Sequence, residues 1–302
     1  MDAQHELMRG IWGGDFVSPI KEDLIIGGLR VLDVGCGSGT WLLQLARDYP
    51  MNHYTGIDMS PVFPTNTDLQ NVEFVQADVL QGIPFDADSF DFVHIRFLNT
   101  AFTEQQWEEK VIPEVTRVTK PKRWLELCEF DIDGQSFGPA SRRMVTTLTS
   151  YLASKGINGL ISEEISEFLE SMETLETVYT EERFSGLGKW AGHLGDLAIK
   201  SFVSAFRGMR ELPGWMGIEE EEYNEMVNKY SREVEDVRVP SAWYPWSQML
   251  FKEYVSFAVR SRSNRQMNRR NEGLPQHIHE PVPKSQNALL RESIVIGFHF
   301  ST

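Results

Sequence analysis

Apolar and polar positions follow two rhythms along the first half of this chain. Leu7, Met8, Ile11 and Trp12 recur at helical spacing until "GGD" at 13 to 15 breaks the run. Ser18 before Pro19 reads as an N-cap with proline in the first turn, opening a second short helix that ends at Gly27 and Gly28. An apolar run from Arg30 to Val34 predicts a strand, and Leu42, Leu45 and Ala46 share a face of the helix expected from about Thr40. "HYTGID", "VEFVQAD" and "SFDFVHIR" give strands two, three and four. Thr103 and Gln106 form a capping box for a helix carrying Trp107, Val111, Val115 and Val118, which Pro113 should kink. "RWLELCEF" is strand five, apolar enough for burial on both faces.

Strand and helix in alternation predict an α/β fold, a doubly wound, parallel sheet with helices on both sides. Ligands of such sheets bind at the carboxyl ends of the strands. Past strand five the rhythm changes: "GPASRRMVTTLTSYLASKG" is a helix with Met144, Leu148, Tyr151 and Leu152 on one face, stopped by Gly156. A helix capped by Ser162 and lined by Ile165, Phe168 and Leu169 follows, then strand six in "LETVYTEERFSGL" and a long helix in "LGDLAIKSFVSAFRGMRE". "EEEE" at 219 to 222 reads as a solvated helix start.

Composition narrows the function classes. The chain has 302 residues and a net charge of −15, which disfavours a broad nucleic-acid surface. Its two cysteines, Cys36 and Cys128, look like reduced thiols and not a disulfide framework. The start "MDAQHELMRGIW" lacks a signal-peptide pattern, and no apolar run reaches the ~18 residues of a membrane span. A cytoplasmic protein is expected, with no membrane association; a nuclear location stays open because "RSRSNRQMNRR" is basic, although a solvated flexible run is the simpler reading.

The chemistry concentrates in "VLDVGCGSGTW" at 31 to 41. A dinucleotide fingerprint needs a third small residue where this chain has Thr40, and here the acid Asp33 stands two residues before the first glycine. An acid there suits a ligand end carrying an ammonium and a sulfonium, and disfavours a pyrophosphate. Asp58 closes strand two, where a carboxylate can accept both hydroxyls of a ribose, or simply cap the turn at Ser60 and Pro61. Asp78 and the Val79 amide follow strand three, placed to hold an adenine edge if Asp78 is not just an exposed loop acid. Strand four brings Asp91, His94 and Arg96 to the pocket floor.

With "LDVGCGSG", "GIDMSP", "VQADVL" and "FDFVHIR" in this order, residues 30 to about 130 resemble a class I S-adenosylmethionine-dependent methyltransferase. "GGDFVSPI", "HIRFLNTAF" and "LGKWAGHLGDLAI" are similar to fungal methyltransferases related to secondary-metabolism regulators, over about 10 to 236. The resemblance implies a Rossmann-like, mostly parallel seven-stranded sheet with a helical cap at about 137–172. The organisation expected is then an N-terminal helical segment at 1–29, a methyltransferase domain at 30–239 and a tail at 240–302 that departs from the family and is partly disordered, because an Arg-, Asn- and Pro-rich segment in it has no apolar period. Carried over by position, Asp33, Gly35, Cys36 and Gly37 hold the methionine end of S-adenosylmethionine, Asp58 and Met59 the ribose, and Asp78 and Val79 the adenine, with His94 alongside.

Candidates for a proton step are His94, Glu129 and His193, and Arg96 and Trp190 are candidate acceptor contacts; His94 reads equally as a hydrogen-bonded core histidine. The chain lacks an Asn/Asp-Pro-Pro-aromatic segment after strand four and a cysteine nucleophile there, which leaves a small molecule or a protein side chain as acceptor. A cofactor-binding regulatory protein with a protein partner and little turnover is the alternative; a nicotinamide oxidoreductase is disfavoured by Asp33 and Thr40. "TKPKRW" lacks the family's glycine pair before strand five. For the antiparallel closing strand, "YVSFAV" at 254 to 259 competes with "ESIVIGFHF" at 292 to 300. "HIHE" at 277 to 280 has no second ligand cluster, so no metal is expected.

Overall fold

The computed structural model describes residues 3–132, 138–173, 175–235 and 251–261. Five strands run parallel: β1 (Arg30–Val34), β2 (His53–Asp58), β3 (Val72–Gln76), β4 (Phe90–Arg96) and β5 (Thr119–Phe130). They lie in the order β3-β2-β1-β4-β5, so the topological switch falls between β1 and β4. Beyond β5 the ladder continues antiparallel, with β6 (Leu175–Gly186) on the outer side of β7 (Phe251–Ser261).

Helices cover both faces of this sheet because alternate strand residues point to opposite sides. On one face Leu32, Val34, Val93, Ile95, Leu125 and Leu127 meet α5 (Ile112–Val118) and α7 (Ser162–Ser171). On the other, Val31, Tyr54 and Phe92 meet α2 (Lys21–Ile26) and α3 (Thr40–Asp48), through Leu24, Trp41, Leu42 and Leu45. A third cluster packs α1 (Ala3–Trp12), α6 (Pro139–Ser154), α8 (Gly192–Gly208) and α9 (Glu220–Glu235) around Met144, Leu148, Ala198 and Val227. Each fully buried large apolar side chain contributes about 1.5–3 kcal/mol.

Several local expectations need correction. Ser18 does not cap α2: the helix starts at Lys21 after Ile20, and the Ser18 backbone N–H is drawn instead to Glu126, 2.7 Å away. Ser162 is the first residue of α7, with Ile161 in the cap position and no side-chain cap bond. The capping box of Thr103 and Gln106 forms, opening α4 (Glu104–Gln106). Pro113 falls in the first turn of α5, and the helix accommodates it through a π turn at Trp107–Val111, which widens the backbone where an α turn would clash with the ring. β5 begins four residues before "RWLELCEF", with a register shift against β4 and Lys122 at φ 66 in the place of the glycine pair. "YVSFAV" lies within β7, while "ESIVIGFHF", "HIHE" and most of the basic run fall outside the described residues.

Candidate active site

The turn after β1 is set by backbone conformation. Gly35 and Gly37 have φ of 71° and 53°, a region that side chains enter at a cost. The N–H groups of Gly35 and Cys36 both donate to Ile57 O, at 2.8 and 3.0 Å, which draws the turn against the end of β2. There Asp58 accepts from Gly37 N through Oδ2 at 2.9 Å and from Ser60 N through Oδ1 at 2.8 Å. A carboxylate oxygen has two lone-pair sites, so each still has room for a hydroxyl donor. A Cβ on Gly35 would lie 2.7 Å from Leu98, whereas a Cβ on Gly37 would meet nothing within 4 Å. One glycine is thus required by the protein's own packing, and the other faces open space.

Beside the turn runs a buried polar row. Register aligns Asp33 with His94 and His94 with Glu126, so one face carries these groups on β1, β4 and β5. All three are buried. His94 Nδ1 and Asp33 Oδ1 are 2.9 Å apart, and the His94 ring stacks on Trp41 at 3.8 Å and 9°. His94 is therefore held as a packed, hydrogen-bonded side chain. Glu126 receives the N–H groups of Val17 and Ser18. Sequence reading passes over Glu126; an acid amid the apolar residues of a central strand is its only signal.

The other candidates are dispersed around the strand ends. Met59 is exposed, with its carbonyl accepting from Gln76 Nε2 at 3.0 Å. Asp78 caps a short 3-10 turn at Val79–Gln81 by accepting from Leu80 N, and Val79 is buried. Glu129 ends β5 on the opposite face from His94, fully buried, accepting from Leu98 N at 2.9 Å and Asn99 N at 3.0 Å. Burial pushes its carboxyl up to about 8, against the opposing pull of those two N–H groups. Arg96 is half-buried with its guanidinium 5.8 Å from the Phe97 ring. Phe97 itself adopts φ 59, a conformation costing a non-glycine residue about 1–3 kcal/mol. It packs on Phe130, which packs on Phe202, at 5.3 and 5.6 Å. No sequence pattern announced that strained aromatic corner.

His193 does not join this group. It is exposed in α8, with Nε2 3.0 Å from Glu6 Oε1, at the far edge of the sheet behind β6. Trp190 sits on the preceding short turn, half-buried against Gly186 and Gly188. Asp91 is engaged at the other end of β4 by Lys120 and Arg123, at 2.7 and 3.1 Å. Cys36 and Cys128 are free thiols, and burial raises both well above the ordinary thiol range. Among the described residues no cluster of His, Cys, Asp and Glu has the makings of a metal site. A surface cavity of about 640 Å³ lined by Arg142, Arg143, Thr146 and Trp215 borders none of the candidates.

Comparison with known proteins places this geometry. Residues 31–122 match the family model described as a methyltransferase domain. The chain is 27% identical over 157 residues to methyltransferase str2 of Strobilurus tenacellus, covering 51% of this chain and 56% of that protein. It is 35% identical over 133 residues to N-methyltransferase verN of Clonostachys rogersoniana, covering 43% and 45%. Over 102 residues it is 33% identical to the secondary metabolism regulator laeA of Coprinopsis cinerea, covering 34% of this chain and 25% of that protein. The chain spans about half the length, or less, of these relatives. The glycine turn, Asp58 and strands β2 to β4 thus lie within the stretch that matches a methyltransferase domain model, and the chain is similar there to fungal methyltransferases and to a secondary-metabolism regulator.

Proposed function

We propose that the chain binds S-adenosylmethionine at the glycine turn and transfers its methyl group to a small-molecule or protein acceptor. The observation that carries this reading is Asp58 fixed by Gly37 N at 2.9 Å, which puts a ribose-type acid beside a glycine with open space over it. The residues fit that cofactor: Asp33, Gly35, Cys36 and Gly37 for the methionine end, Asp58 and Met59 for the ribose, and Asp78 with the Val79 amide for the adenine. When bound, the sulfonium supplies a methyl group that is already electrophilic. What remains for the protein is to align the acceptor, exclude water and take up a proton where one is released. Phe97, Phe130 and Phe202 suit an apolar acceptor wall, with Arg96 for an acidic group; Trp190, packed on Gly186 and Gly188, lies apart from it.

In the same reading residues 137–172 form the cap, and β7 with β6 completes a seven-stranded sheet; the unbroken pairing of Trp124–Phe130 with Tyr254–Arg260 supports this. The two free thiols suit a reducing cytoplasmic or nuclear compartment. The test is calorimetric titration with S-adenosylmethionine, S-adenosylhomocysteine and NAD. Micromolar binding of the first two and none of NAD is expected; comparable NAD affinity overturns the reading.

One observation favours the alternative of a cofactor-binding regulatory protein. His94 is committed to Asp33 and Trp41, both Glu129 oxygens accept main-chain N–H groups, and His193 is remote. Catalysis would then rest on alignment alone. S-adenosylhomocysteine formation across a panel of amines, phenols, carboxylic acids and peptides separates the two: binding without turnover on any of them favours the regulatory reading.

A further inference from the structure

The N-terminal segment crosses the sheet face beside the glycine turn and is fastened at two points. Val17 N lies 3.1 and 3.0 Å from the two Glu126 oxygens, and Ser18 N lies 2.7 Å from Oε2. Asp15 O accepts from Trp41 Nε1 at 2.6 Å. Phe16, between them, packs edge-on against Phe92 at 6.1 Å. Gly13, at φ 72, and Gly14 precede the fastened stretch and separate it from α1. Arg9 reaches across that break to Asp15 at 2.8 Å.

Both fasteners belong to the polar row. Glu126 is the in-register neighbour of His94 on β5, and Trp41 is the ring on which His94 stacks. His94 in turn holds Asp33, two residues before the glycine turn. A carboxyl group 2% exposed is costly to bury unless its oxygens are bonded, and among the described residues the donors to Glu126 are the N–H groups of residues 17 and 18. The acid and the segment therefore need each other: lifting residues 15–18 strips Glu126 of its donors, and neutral packing residues at this position would leave two N–H groups unmatched.

We propose that Glu126 is a positioning residue that latches residues 15–18 as a strap, and that closure of the strap is coupled to ligand binding at Asp33 through His94 and Trp41. The proposal rests on the reading of Asp33 and the glycine turn as the cofactor site. A cationic ligand end at Asp33 fixes the carboxylate, the carboxylate fixes the imidazole, and the imidazole fixes the indole whose N–H holds Asp15 O. By linkage, whatever the ligand does for the strap the strap must do for the ligand. Loosening the strap at either fastener then speeds ligand release.

The experiment uses the full chain with S-adenosylmethionine as probe and reads two quantities: hydrogen exchange at the amides of residues 15–18, and the ligand's dissociation rate. Wild-type exchange at Val17 and Ser18 should slow at least fivefold on saturation. Glu126→Gln keeps the volume but replaces one acceptor oxygen by a donor. Trp41→Phe keeps an aromatic ring at that position and removes the N–H to Asp15 together with the rest of the pyrrole ring. Both variants should exchange faster at 15–18 and release the ligand at least fivefold faster, with the rest of the sheet protected as in wild type. If Glu126→Gln does not fold, Trp41→Phe alone decides the matter. Ligand binding that leaves exchange at Val17 and Ser18 unchanged overturns the coupling while leaving the cofactor site intact. Faster strap exchange with an unaltered dissociation rate does the same. Failure of wild type to bind S-adenosylmethionine at all overturns the cofactor reading and the coupling with it, and the exchange of the two variants then reports on the latch alone.

Discussion

Glu129 makes stability depend on pH in a direction opposite to that of an ordinary paired carboxylate. Its folded-state value of about 8 stands above the ordinary 4.5, because burial outweighs the N–H donors of Leu98 and Asn99. Between those two values the folded chain holds a proton that the unfolded chain has released, so stability is greatest below the lower value and falls as pH rises towards the upper one. At about 1.4 kcal/mol per pH unit the whole window amounts to about 5 kcal/mol, and the interval from pH 5.5 to 7.5 to about 2–3 kcal/mol. Glu129→Gln removes the titration and imitates the protonated acid, keeping an acceptor for one of the two N–H groups. Urea unfolding of both proteins at pH 5.5, 6.5 and 7.5 isolates this group, since every other titration is common to the pair. The wild type should lose about 2–3 kcal/mol relative to the variant across that interval. Parallel curves, or a wild type that gains on the variant with pH, would refute the argument that burial dominates at this site.

Three further outcomes follow from the same geometry. Asp58→Ala removes the ribose acid and the acceptor of Gly37 N, and should weaken S-adenosylmethionine binding by about 2–4 kcal/mol in calorimetry; unchanged affinity would take Asp58 out of the site. Gly35→Ala drives a methyl group to 2.7 Å from Leu98 and should lower the melting temperature markedly, whereas Gly37→Ala, with nothing within 4 Å, should cost only about 1 kcal/mol for its backbone yet abolish ligand binding. If the reverse holds in thermal melts and titrations, the open side of Gly37 is not where the ligand lies. A chain ending at residue 262 keeps β7 between β5 and β6 and should fold, while one ending at 239 loses that strand, exposes the β5 edge and should aggregate; a soluble shorter chain with full affinity would show β7 to be dispensable.

The parallel core was legible because its signals are local. Each of β1 to β4 is a short apolar run, and α3 shows its inward face through Leu42 and Leu45. The Thr103 capping box declared itself for the same reason, since both partners lie within one turn. Ser18 misleads because Ser-Pro marks a turn as readily as a cap: α2 starts three residues later, and the Ser18 main-chain N–H ties the segment to Glu126, more than a hundred residues away. The closing strand was ambiguous between "YVSFAV" and "ESIVIGFHF" since alternation says which residues can form a strand but not which edge will take them. That choice is made by tertiary pairing, here of β7 with β5 and β6.

The site divides along a similar line. Asp33, Gly35, Gly37 and Asp58 are read from a sequence because a turn that brings backbone close to a ligand admits few residue types at fixed spacing. A proton-handling group is not so constrained, and the residue types nominated for it turn out to have other work: His94 ties Asp33 to Trp41, and Glu129 ties the segment after β4 to the end of β5. Both spend their polar atoms on the protein itself. The loop that Glu129 holds includes Leu98, the side chain that fits against Gly35, so the acid acts on the glycine turn through packing. The sequence therefore shows that an acid stands at a strand end, but not what that acid holds. Type and position along the chain are visible in the sequence, whereas the partner that consumes a lone pair comes from another strand and is visible only in three dimensions.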